Sequence, residues 1–169
     1  GLSVDPSGSF ATFNVRATDM AANKGVSNLW LKDLTKPSMP EVKLAISEGG
    51  ASDAQWSPDG KTLYFLSSRS TDGINQLWKS DAKGELAAQV TTLPLDIQAY
   101  RITPDGKGVV FALAVFPAPQ DCGGKGNEIA CTVKKLEERK ASKATGMVYD
   151  KLFIRHWDNW ADGTRNHLF

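Results

Sequence analysis

One short pattern recurs along the chain and limits its possible folds more than any other feature. It is a proline followed two residues later by glycine, in Asp5-Pro6-Ser7-Gly8, Ser57-Pro58-Asp59-Gly60 and Thr103-Pro104-Asp105-Gly106. Proline pre-sets φ for the second position of a β-turn, aspartate suits the third, and glycine tolerates the exit. By this measure the first copy, with serine in place of aspartate, is the loosest. A β-prone run follows each turn: Phe10 to Arg16, Thr62 to Ser67 and Gly108 to Phe116. In the second run Leu63, Tyr64, Phe65 and Leu66 are consecutive and all apolar or aromatic, which predicts a strand covered on both faces. A Leu-aromatic pair then marks a further strand in each repeat: Leu29-Trp30, Leu77-Trp78 and, at the chain end, Leu168-Phe169.

The prolines are 52 and 46 residues apart, a period that fits the four-stranded blade of a β-propeller, roughly 40 to 50 residues long. The predicted fold is therefore all-β: a partial propeller of about three four-stranded antiparallel blades with one helical insertion. The repeats divide at about residues 4–47, 48–93 and 94–169. From proline to the marker leucine the distances are 23, 19 and 64 residues, so the third repeat carries an insertion, at about residues 117–165. A helix is expected within it from Thr132, as N-cap, to Thr145, with Gly146 as its stop. Lys134, Lys135, Arg139, Lys140 and Lys143 make that helix basic, as expected of a solvated surface. A closed propeller takes about four to eight blades. Three repeats cannot close a ring, so the chain is expected to be a piece of a longer protein. Its uncovered blade surfaces would favour association, including a homo-oligomer.

Charge and cysteines bound the functional classes. Twenty basic residues against nineteen acidic ones give a net charge of +1, which provides no electrostatic footprint for nucleic acid or an anionic membrane. No apolar run reaches the roughly 18 residues of a membrane span. Cys122 and Cys131 flank a glycine-rich loop. They read as a disulfide, which would place the chain in an oxidising compartment; the other reading is two free thiols. No nucleophile elbow, zinc-protease helix or phosphate loop occurs. No catalytic residue, metal ligand or cofactor is therefore assigned. His156 and Asp158 lie too close along one strand to form a triad with an activated serine, and His167 reads as a packing or surface residue.

With these motifs in view, WSPDGKTLYFLSSRS and QLWK resemble the propeller repeats of prolyl oligopeptidase family serine peptidases and of TolB-like proteins. The insertion, ACTVKKLEERKASKATGMVYDKLFIRHWDNWADGTRNHLF, resembles the equivalent region of dipeptidyl-peptidase V, dipeptidyl aminopeptidase and acylaminoacyl-peptidase enzymes. This resemblance implies a propeller that gates peptide access to an α/β-hydrolase domain of the same parent protein, a domain absent from this chain. It further implies peptide substrates, release of dipeptides or acyl-amino acids from N-termini, and a periplasmic or secreted location. In related enzymes paired glutamates on a propeller arm hold the substrate α-amino group, and Glu137-Glu138 in the insertion are the candidates here. Their LEER surroundings depart from the aromatic-rich motif of those enzymes, and Lys134, Lys135 and Arg139 offset their charge. The alternative is a TolB-like scaffold for protein partners with no catalytic domain.

Overall fold

A computed structural model of the chain describes residues 1–117, 126–143, 146, 155–156, 159–160 and 162–169. The turns organise it. In the second, Gly60 N–H closes onto Ser57 O at 2.9 Å, and the Ser57 hydroxyl donates to Asp59 Oδ1 at 2.6 Å. The same hydroxyl oxygen accepts from Thr62 N–H at 2.9 Å, where the next strand begins. The third turn repeats each contact, through Gly106 and Thr103, Thr103 and Asp105, and Gly108 and Thr103. The first keeps the chemistry with the partners exchanged. Asp5 holds the position of the hydroxyl residue, the Ser7 hydroxyl donates to its carboxylate, and Phe10 N–H donates to Asp5 Oδ1 at 2.7 Å. Gly8, Gly60 and Gly106 have φ of 73°, 70° and 69°, a region that side chains with a Cβ enter at a cost. Asp5-Pro6-Ser7-Gly8 is thus the same closed turn in a second chemical form.

Each turn joins the first two strands of an antiparallel sheet. The first sheet runs in chain order through β1 (Leu2–Val4), β2 (Phe10–Asp19), β3 (Lys24–Asp33) and β4 (Val42–Lys43). The second does the same through β5 (Ser52–Trp56), β6 (Thr62–Ser67), β7 (Gln76–Asp81) and β8 (Ala88–Gln89). The third begins with β9 (Ile97–Ile102) and β10 (Val109–Val115). Helix α1 (Glu128–Ala141) follows, then the paired β11 (Arg155–His156) and β12 (Asn159–Trp160), then β13 (Arg165–Leu168), which pairs antiparallel with β10. Register is shared across the three sheets. The residue eight places after each turn proline, Asn14, Leu66 or Ala112, faces the marker leucine, Leu29, Leu77 or Leu168. The all-β propeller-type architecture is therefore present, with one α-helix and a three-stranded third sheet among the described residues.

The second sheet is the middle layer. Leu63 and Phe65, both fully buried, pack with Leu29, Leu44, Ile46 and Trp56 towards the first sheet. Leu66 and Leu77 pack with Ile97, Tyr100, Leu113 and Val115 towards the third. Burying each of these large side chains contributes about 1.5–3 kcal/mol. Arg69 ties the first layer down. Its guanidinium stacks on Phe65 and Trp78 and donates to Ile46 O and, at 3.0 Å, to Gly50 O.

The helix departs from its predicted bounds. Its N-cap is Asn127, five residues before the expected Thr132, and it ends at Ala141 rather than Thr145. The reason lies in packing. Ile129 sits on the core of the second and third sheets, and Cys131 and Thr132 are buried. Thr132 lies inside the helix, where its hydroxyl oxygen accepts from Phe116 N–H at 3.0 Å instead of capping.

Candidate functional site: a groove along the first strands

The first strands β1, β5 and β9 form one edge of each sheet and lie side by side. Together they line a groove of about 440 Å³. Its walls include Leu2, Val4, Ile102 and the turn residues Pro6, Pro58 and Pro104, and its charged side chains are Asp53 and Arg101.

A buried tyrosine holds this groove together. Tyr100 is 2% exposed, and its hydroxyl donates to Asp53 O on the neighbouring sheet at 2.7 Å. Its own carbonyl accepts twice, from Gln55 Nε2 at 2.9 Å and from Arg101 Nη1 at 3.0 Å. One residue thereby positions the backbone that carries Asp53, the Gln55 amide and one end of the Arg101 guanidinium. Burial raises the Tyr100 phenol well above its ordinary range, the Asp53 charge pushes it further, and Arg101 pulls it back. The Asp53 backbone is unusual: φ is 50°, at the irregularity in β5–β6 pairing between Ser52 and Gln55. Such bulges redirect a side chain out of the strand's alternation. Motif reading passed over these residues. The only local signal is that Gln55-Trp56 and Arg101-Ile102 hold equivalent places just before their turns.

The helical arm docks beside the third sheet. Arg139 stacks over Phe116, with 4.8 Å from Cζ to the ring centroid, and donates to Asp162 O at 3.1 Å. Lys135 Nζ lies 5.5 Å from the same ring. Glu137 and Glu138 are both exposed, and Glu138 Oε1 is 3.9 Å from Lys134 Nζ. Consecutive helical positions diverge by about 100°, so the two carboxylates do not face each other. Cys131 is buried on this helix, while its expected partner Cys122 lies outside the described residues, as does Asp158. His156 is described by its backbone in β11, and half-buried His167 sits opposite Leu113. Among the described residues no cluster of His, Cys, Asp and Glu is arranged to hold a metal ion, and no helix is long and apolar enough to cross a membrane.

Comparison with known proteins gives this geometry a context. Dipeptidyl-peptidase 4 of Giardia intestinalis is 25% identical over 147 residues, 80% of this chain and 19% of that protein. Dipeptidyl-peptidase 5 of Porphyromonas endodontalis is 26% identical over 171 residues, 100% of this chain and 22% of its own length. Among solved structures, a TolB protein of Agrobacterium tumefaciens matches with a TM-score of 0.55 at 25% identity, over 66% of this chain and 36% of that one. An acylaminoacyl peptidase of Pyrococcus horikoshii shares the fold with a TM-score of 0.55 at 17% identity, over 72% of this chain and 18% of that one. No protein-family model matches. The chain spans about a fifth of the length of the curated relatives it matches. These relatives agree with the resemblance to peptidase propellers carried by the turn motifs and the arm.

Proposed function

We propose that this chain is the substrate-gating propeller portion of a serine exopeptidase of the prolyl oligopeptidase type, one that releases dipeptides or acyl-amino acids from peptide N-termini. The observation that carries this reading is the match to a dipeptidyl-peptidase 5 across the whole chain, helical arm included. The chain supplies no catalytic group in this reading. An α/β-hydrolase domain of the parent protein brings the nucleophile, base and acid. In this reading the stacked blades admit extended peptides and hold folded proteins out.

Two features of the arm belong to the same proposal. A Cys122–Cys131 disulfide would tie the glycine-rich loop to α1 and suits a periplasmic or secreted enzyme. Glu137 and Glu138 are the candidates for holding a substrate ammonium. Their divergence on the helix gives each its own reach, and Lys134 competes for Glu138. The second reading, a TolB-type scaffold, is favoured by the likeness to the Agrobacterium protein. A helical arm inserted between two paired strands, β10 and β13, supports the peptidase reading instead.

The test is selectivity by substrate size. The full-length enzyme should cleave a short peptide and leave the same sequence intact within a folded protein. Equal cleavage of both, or of neither, contradicts the proposal.

A further inference from the structure

The side chains of Arg101 and Asp53 line the groove along β1, β5 and β9 without pairing with each other. Arg101 spends one N–H on Tyr100 O. A guanidinium carries five N–H donors in a flat fork that matches a carboxylate, and its other donors meet no acceptor among the described residues. The group is held from behind and open in front. Its anchor is firm, because Tyr100 is buried and its carbonyl also binds Gln55.

We infer that this groove binds the carboxylate of a short peptide on Arg101, with Asp53 setting the polarity of the chain. The inference rests on the peptidase reading for the identity of its ligand as a peptide. Charge-assisted, two-pronged Arg–carboxylate contacts are the strong ones. Asp53 repels a second carboxylate, so a peptide enters with its carboxylate towards Arg101. The proline rings of three successive turns and Ile102 supply apolar wall to the groove. Two sources share this chemistry, the C-terminal carboxylate and an acidic side chain.

Binding to the full-length protein by calorimetry separates them. The probes are tripeptides N-methylated at their peptide bonds against cleavage: a neutral one with a free C-terminus, its amide, and an amide bearing a glutamate. The free acid should bind about tenfold tighter than its amide. Arg101→Gln should erase that difference, and Arg101→Lys should keep part of it. Tight binding of the glutamate amide alone would assign Arg101 to acidic side chains. Equal binding of all three probes, or an unchanged difference in Arg101→Gln, overturns the inference. The wild-type and variant unfolding midpoints are compared to exclude misfolding. Cleavage of the unmethylated peptides is scored separately. Cleavage without carboxylate preference sinks only this inference, and Arg101-dependent binding without cleavage sinks only the peptidase reading.

Discussion

Gly60 lies against the ring of Pro6, where a Cβ on the glycine would sit 3.5 Å from Pro6 Cδ. Gly106 stands in the same relation to Pro58, also at 3.5 Å. The turns are therefore stacked, each glycine on the proline of the preceding repeat. Because 3.5 Å is ordinary contact, Gly60→Ala should be penalised through its φ of 70° rather than by a clash. The expected loss is about 1–2 kcal/mol, read from the urea midpoint at unchanged slope. A neutral result would show that the turn relaxes out of the left-handed region.

The turn carboxylates predict acid sensitivity. Hydrogen bonds from Ser7, Ser57 and Thr103 hold Asp5, Asp59 and Asp105 below their ordinary value of 3.8. A depressed folded pKa stabilises above the unfolded value, and this contribution is lost as pH falls through the folded one. The unfolding midpoint should be flat above about pH 5 and fall below about pH 4. Ser57→Ala combined with Thr103→Ala should flatten that fall; a slope equal to wild type would remove the turns as its cause.

Thr132 is the hinge between arm and sheet. It is fully buried, and its hydroxyl oxygen satisfies Phe116 N–H. Thr132→Val keeps the volume and strands that donor, at a cost of about 1–3 kcal/mol. Hydrogen exchange at the Phe116 amide should accelerate, and Thr132→Ser should restore protection. Unchanged exchange in the valine variant would mean that the arm does not dock through this bond.

Tyr100 sets the groove from inside. Tyr100→Phe removes the bond to Asp53 O, a loss of about 0.5–1.5 kcal/mol. In wild type its phenol should stay protonated in an alkaline titration where exposed tyrosines ionise, since burial raises it. The absorbance change of the Phe variant over that range should match that of wild type. A smaller change would show that Tyr100 titrates with the others.

What could be read from residues alone follows from how local each determinant is. The turns and the strands that follow them are legible because proline, glycine and a hydroxyl–carboxylate pair act within five residues, whereas the shared register depends on pairing between strands. Ser57 to Thr62 contains its whole logic. Asp5-Pro6-Ser7-Gly8 looked degenerate because pattern matching ignores that donor and acceptor can trade places. Thr132 lies inside the helix rather than capping it, and a buried threonine and a capping threonine look alike in sequence until the sheet beside them is in place. The Tyr100 network left almost no trace. Its bonds end on the carbonyls of Asp53 and Tyr100, which every residue type supplies.

The most direct test of the account is the product of the full-length enzyme acting on a peptide in two forms, one with a free N-terminus and one N-acetylated, followed by mass spectrometry. Stepwise loss from the N-terminus is expected, as dipeptides from the free form or as an acyl-amino acid from the blocked one. Intact peptides of both forms after prolonged incubation, or internal cleavage without N-terminal release, would contradict it.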